Sequence, residues 1–263
     1  MKSILFENLN NFKFNINHVV SPNKITPLAS NSYGLFINVL GSVSVMVNDS
    51  VLPPVSGGVT AIKPFDFCMP IYQNNNKYEY YYINIENGGE FITNYFSNNF
   101  NNNATLSYNE DNKSEIISIC NILSNNNLSQ TENYYYFFKL LSTLLKVENE
   151  YSNNDNWLSN DVYFAIKYVN ANLTNKITLD NLVGTSNVSV NSLERHFISS
   201  VNVTPYTYIQ LKRLAFSIKL LNEGKSVEDA CALSGFSDYS HYIALFKKFY
   251  TITPLKYKKS LSK

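Results

Sequence analysis

Apolar residues recur with a period of two through roughly the first ninety positions and with a helical period through the last hundred, so the chain divides into a strand-rich part and a helical part. Segments 12–16, 34–40, 43–47, 59–62 and 78–85 are alternating or apolar and rich in Val, Ile, Tyr and Phe, which suit a pleated surface. Gly41, Asn48-Asp49, Pro53-Pro54 and Gly57-Gly58 punctuate them as turns. Short strands with regular turns predict a small sandwich or barrel. Residues 98–103, rich in Asn, read as a loop. Two helices follow. Residues 113–123 place Ile116, Ile117, Cys120 and Leu123 on one face. The stretch from Glu132 to Glu150 carries a broad stripe of Phe137, Leu140, Leu141, Leu144, Leu145 and Val147, which must be covered either by the chain's own sheet or by a second copy in a homodimer. Residues 149–159 are polar and aperiodic, which predicts a linker (151–159) between a domain at 1–150 and another at 160–263.

Within 177–258 one helical pattern is written twice. ITLDNLVGTSNVSVNSLERHFISSVNVTPYTYIQ is followed by KSVEDACALSGFSDYSHYIALFKKFYTITPLKYKK. Each copy has a short amphipathic helix, a tight turn, a second helix containing a Phe, and a V/I-T-P step into a further helix. Seven helices are predicted, capped by Ser159, Thr178, Ser189, Thr204, Ser226, Asp238 and Thr253; proline stands at the first helical position after Thr204 and Thr253. Gly235 stands where a left-handed residue ends a helix. Two such helix-turn-helix units suggest duplex DNA as the partner.

Charge sharpens the division. The formal net charge is +1, yet residues 156–263 hold 13 basic against 7 acidic side chains and the remainder holds 8 against 13. A basic helical part beside an acidic strand-rich part fits a DNA-binding module with a separate regulatory one. Cys68, Cys120 and Cys231 lie far apart and have no partner at metal-ligand spacing, so they read as buried thiols of a reducing compartment. No apolar run is long enough to span a membrane and the N-terminus lacks an export signal, so a soluble, cytoplasmic protein is expected.

The second helix of each unit is the candidate reader. In the first, Val190, Asn191, Glu194 and Arg195 face outward, with Leu193, Phe197 and Ile198 inward. Asn191 suits adenine, Arg195 suits guanine and Glu194 accepts from cytosine N4, although Arg195 serves equally in a salt bridge with a carboxylate. In the second, Tyr239, Ser240, Ile243, Ala244 and Lys247 face outward, a face poorer in base-reading groups. Ile243 and Ala244 suit thymine methyls. Phosphate contacts fall to Ser189, Lys212, Arg213, Lys247 and Lys248, with Lys212 and Arg213 alternatively tying the two units together.

These residues resemble the DNA-binding domain of the AraC/XylS transcription regulators. The matching positions are Leu179–Leu182, Ser189, Leu193, Arg195, Phe197, Arg213-Leu214 and Leu220-Leu221. They continue through Gly235-Phe236-Ser237, Ser240, Tyr242, Phe246-Lys247 and Thr253-Pro254 with Tyr257. The resemblance implies two recognition helices in successive major grooves. Departures at Val201 and Thr251, where glycine is usual, suggest altered turns, and Ala230-Cys231 in place of Ile-Ala suggests looser packing. More weakly, residues 41–71 are similar to the cupin-like barrel that many members carry for a small effector, which sets the fold class as a two-domain α+β protein. No cluster of His and Glu ligands accompanies it, so no metal or other cofactor is expected, nor an enzyme. The resemblance implies a promoter-binding activator that contacts RNA polymerase and answers to a small molecule. Relatives in enteric pathogens hold a fatty acid between the domains, its carboxylate on lysines, which by analogy nominates Lys13, Lys24, Lys63 and Lys225. The alternatives are a regulator without effector, whose N-terminal domain only dimerises or binds protein, and a fused alkyl-transfer enzyme, for which no cysteine has an activating neighbour in sequence.

Overall fold

The computed structural model describes residues 12–20, 30–41, 43–72, 77–100, 104–125, 127–152, 158–184, 186 and 188–261. Among the described residues the strands come first: β1 (Lys13–Val20), β2 (Tyr33–Leu40), β3 (Val43–Val47), β4 (Ser50–Leu52), β5 (Val59–Ile62), β6 (Cys68–Tyr72), β7 (Glu79–Glu86), β8 (Ala104–Ser107) and β9 (Asn149–Ser152). Helices α1 (Gly89–Asn99), α2 (Glu110–Leu123) and α3 (Gln130–Thr143) are interleaved with the last of them. The C-terminal part is helical: α4 (Asn160–Ala171), α5 (Leu179–Val183), α6 (Val190–Val201), α7 (Pro205–Asn222), α8 (Val227–Leu233), α9 (Tyr239–Tyr250) and α10 (Pro254–Leu261).

The strands form two antiparallel sheets, ordered β1-β7-β2-β5-β8-β9 and β4-β3-β6, so the expected barrel or sandwich takes the form of two stacked sheets. Alternation along each strand explains the stacking, because successive side chains point to opposite faces. Phe36, Tyr80 and Tyr82 of the large sheet meet Val45, Val47 and Cys68 of the small one in an apolar layer between the sheets. Their neighbours Leu35, Ile37, Tyr81, Ile83 and Ile85 face the other way and are covered by α1, α2 and α3. The stripe of α3 is thereby covered within the chain: Phe137, Leu140 and Leu141 belong to that core. Leu145, further along the same stripe, is 52% exposed.

Several elements depart from the sequence reading. Helix α1 occupies a stretch read as a strand end and a loop; Ile92 and Phe96 bury its inner face. Helix α3 stops at Thr143 rather than running on to Glu150. Residues 149–152 are an edge strand paired with β8, so the polar stretch is not linker from its start; 153–157 lie outside the described residues. Polarity misled because this strand is held by its pairing with β8 while Asn149, Glu150 and Tyr151 stay exposed.

The small sheet's outer face is buried by the helical part. Met46, Val51, Phe67, Met69 and Ile71 share one core with Val162, Ile166, Val169, Leu182, Leu193, Phe197 and Tyr208. Wholly buried side chains of this kind contribute about 1.5–3 kcal/mol each, so the first helix-turn-helix unit is seated on the sheet and not merely tethered to it. Polar contacts frame the seat. Lys167 pairs with Asp49 at 2.8 Å, and the Tyr72 N–H donates to Asn202 Oδ1 at 2.8 Å.

Candidate nucleic-acid interface

The cap chemistry that marked the repeat operates in both units. The side chains of Thr178, Ser189, Thr204, Ser226 and Asp238 each accept the backbone N–H three residues on, and Thr253 does the same for Lys256. Ser159 departs from this pattern: it makes no cap bond, and its hydroxyl bonds the carboxylate of Asp161. Helix α5 ends at Val183, with Gly184 as its C-cap. The turns that lack the usual glycines are not altered in kind. Asn202 (φ 60°) ends α6 and Thr251 (φ 63°) ends α9, both left-handed. Asn tolerates that region through its short polar side chain, whereas a β-branched Thr is strained there. Val201 itself remains helical and buried. The second unit packs without the larger residue at position 230: Ala230 and Cys231 are buried with Leu214, Ile218, Phe236, Tyr242 and Phe246.

Gly235 marks the seam between the units. Its φ is +91°, and a Cβ there would stand 2.8 Å from the Leu173 carbonyl oxygen and 2.9 Å from Arg213 Nε. Arg213 donates from Nε to Leu173 O (2.9 Å) and from Nη2 to Asn175 O (2.7 Å). It therefore ties α7 to the α4–α5 connection, with Gly235 of the second unit beside it.

Lys212 departs further from expectation. Its Nζ donates to Asn48 O at 3.2 Å and lies 4.9 Å from the Phe67 ring centroid, in the seat on the small sheet. Burial lowers its pKa from 10.5 to about 8, against the raising effect of Asp49 and Asp66. A lysine depressed on folding makes the unfolded chain hold more protons between pH 8 and 10.5, so stability rises with pH across that window. Wild type is expected to gain about 2 kcal/mol over a Lys212→Met variant between pH 8 and 10, read from denaturant melts, since tyrosine titration is common to both proteins. A constant difference between the two would show that Lys212 is not desolvated.

On α6 the exposed positions are Asn191, Arg195, Ile198 and Ser199, with Val190 and Glu194 half-buried and Leu193, Phe197 and Val201 inside. Asn191, Arg195 and Ile198 stand at i, i+4 and i+7, one helical stripe. Ile198, expected inside because it is apolar, is 49% exposed; the spacing from Asn191 was the available signal. Arg195 forms no ion pair among the described residues, so its guanidinium is not committed to a carboxylate. Behind the stripe, His196 Nδ1 meets Asp161 Oδ2 at 2.6 Å and anchors α6 to α4. The Asp161 carboxyl is held below its ordinary range: bonds from Ser159 and His196 outweigh burial, which is the largest single influence and acts the other way.

Helix α9 is different. Ser240, Ala244, Lys247 and Lys248 are exposed, as is His241, which the sequence reading passed over. Tyr239 is exposed but its hydroxyl donates to Glu228 Oε1 at 3.2 Å. Ile243 is only half-buried yet packs on the second core, so it is not fully outward as expected. Lys247 and Lys248 stand in the last turn, with Lys248 Nζ 5.3 Å from the Phe249 ring centroid.

Of the four lysines nominated for an effector, three lie among the described residues. Lys13 is exposed on edge strand β1, with β7 and β2 between it and β5, after which Lys63 follows. Lys225 is exposed in the second unit, where its carbonyl accepts from Lys258 Nζ. Lys24 lies outside the described residues. All three cysteines are free and buried, and burial pushes each thiol pKa up, the opposite of an activated nucleophile. Among the described residues no three His, Cys, Asp or Glu side chains gather to hold a metal, and no helix is long and apolar enough to cross a membrane.

Residues 182–260 match the family model described as helix-turn-helix domain. The uncharacterized HTH-type transcriptional regulator YdeC of Bacillus subtilis (strain 168) is 28% identical over 111 residues, which is 42% of this chain and 38% of that protein. The chain is therefore matched to well under half of that relative's length. Two solved structures are similar at lower identity. A probable AraC family transcriptional regulator from Rhodopseudomonas palustris CGA009 is 24% identical, with a TM-score of 0.38, over 39% of this chain and 98% of that one. ToxT from Vibrio cholerae O395 is 18% identical, with a TM-score of 0.39, over 96% and 99%.

Proposed function

We propose that the chain is a transcription regulator of the AraC type that binds promoter DNA sequence-specifically, with α6 and α9 in successive major grooves; the match of residues 182–260 to a helix-turn-helix domain supports this reading. The observation that carries this reading is the uncommitted stripe Asn191–Arg195–Ile198 on α6. Asn191 pairs with adenine, Arg195 forks onto guanine O6 and N7, and Ile198 packs on a thymine methyl, with Glu194 at the flank to accept from cytosine. Helix α9 contributes Ser240 and His241 at its start and Lys247 and Lys248 toward phosphates, so it serves affinity more than discrimination. Ser189 adds a hydroxyl at the start of α6. Both units lie in one chain, and promoter binding needs no second copy.

The N-terminal sheets act on this domain through the shared core. A small-molecule effector regulates by binding the seated and unseated arrangements with different affinity. A fatty carboxylate held by lysines rests on the family resemblance. Activation and RNA polymerase as partner rest on the family resemblance alone. For the effector, the full chain is the right sample, because cutting near residue 155 would bare Met46, Met69 and Ile71.

The test is selection from a random-sequence duplex pool by the full chain. A recurring motif should emerge, and log affinity for it should fall linearly with log salt, at about 0.9 per phosphate neutralised. Enrichment of no sequence above the starting pool would sink the proposal.

A further inference from the structure

The turn at residues 63–67 carries the chain from β5 in the large sheet to β6 in the small one, and on the way it touches both helix-turn-helix units. Phe67 is buried in the core shared with the first unit, its ring edge-on to Tyr208 of α7 at 5.9 Å. Phe65, two residues earlier, packs against the core of the second unit, the one built by Leu214, Ile218, Tyr242 and Phe246. No other side chain of the strand-rich part appears in that second core among the described residues.

Phe65 reaches it in an unusual way. Its φ is +67°, the left-handed region that a bulky aromatic rarely enters. Such strain persists only where the surroundings over-determine it, and here they do. The Asp66 carboxylate accepts from the Lys63 N–H (2.9 Å) and from Asn48 Nδ2 (2.8 Å). Asn48 Oδ1 accepts the Phe67 N–H (3.0 Å), and the Phe65 N–H donates to Ser30 O (2.8 Å). These hydrogen bonds hold a backbone that glycine would adopt freely, with phenylalanine in glycine's place.

We propose that residues 63–67 are a brace that fixes the orientation of one helix-turn-helix unit relative to the other, and that Phe65 is the positioning residue that sets the spacing of the two DNA segments the chain reads. The units are joined by α7 and by the Arg213 seam, both close to the line between them. A second pair of contact points, Phe67 on one unit and Phe65 on the other, resists twisting about that line. The inference rests on the reading of α6 and α9 as two recognition helices on one duplex.

The duplex selected by the full chain supplies the probe. One base pair inserted or deleted between its two contacted segments turns the second by about 35°, given 10–10.5 base pairs per turn. Wild type should lose at least about tenfold in affinity, equivalent to about 1.4 kcal/mol, on either altered duplex. Phe65→Gly keeps the turn and removes the ring; Phe65→Asn, which tolerates the left-handed region, is a second variant should the first not fold. Both should bind the parent duplex yet lose less than about threefold on the altered ones, a difference under about 0.7 kcal/mol, while Phe65→Tyr keeps the wild-type penalty. Folded variants that retain the full wild-type penalty would overturn the brace while leaving the DNA reading intact. A wild-type chain that selects no duplex would overturn both.

Discussion

Replacing Phe197 with alanine is expected to lower stability by about 3–5 kcal/mol, the cost of emptying a fully buried aromatic site, and to do so for the whole molecule rather than for one domain. Phe197 is fully buried on the inner face of α6, and its ring centroid lies 5.7 Å from that of Tyr208. Both belong to the core that Met46, Met69 and Ile71 complete from the small sheet. A chain whose domains share a core should melt in one step, with equal calorimetric and van't Hoff enthalpies. The variant's single transition should move down by roughly 6–20 °C, at about 2–4 °C per kcal/mol for a chain of this size. Two separated transitions in scanning calorimetry, with only one displaced, would show that the seat on the sheet contributes little to stability.

The second large effect concerns recognition. Arg195→Ala should weaken binding to the selected duplex by about 1–3 kcal/mol, the value of a bidentate arginine–guanine pair, and should relax preference at one base position. Binding to unrelated duplex should change far less. Lys248→Ala should behave in the opposite sense, weakening both duplexes alike and reducing the salt slope by about one. Competition titrations of both variants on both duplexes separate the two behaviours. An Arg195→Ala chain with unchanged specific affinity would remove this residue from base reading.

The units, their caps and the inner faces of α6 and α9 were legible in the sequence because each rests on local chemistry: a Ser, Thr or Asp before a helix, a proline at its first position, a period near 3.6. Even the missing glycines were legible as positions of stress, though not which neighbour would take the left-handed turn, Asn202 in one copy and Thr251 in the other. What escaped the sequence was non-local. Lys212 looks like any basic residue on a helix until Asn48 and Phe67 are brought over it. Arg213 reads as a phosphate ligand until the Leu173 carbonyl is seen beside it. Ile198 was misplaced by treating apolar character as burial, although its spacing from Asn191 and Arg195 puts it on the outer stripe. Helix α1 was missed because only Ile92 and Phe96 mark its buried face, and strand β9 because its residues are polar and exposed and its signal is the pairing with β8.

Reading by two unequal helices is the central claim, and base- and phosphate-modification interference on the selected duplex tests it most directly. The account predicts two protected segments about 10–10.5 base pairs apart. Under α6, modification of base edges should abolish binding; under α9, modified phosphates should weaken it while modified bases matter little. A single protected segment, or strong base interference confined to the segment under α9, would contradict it.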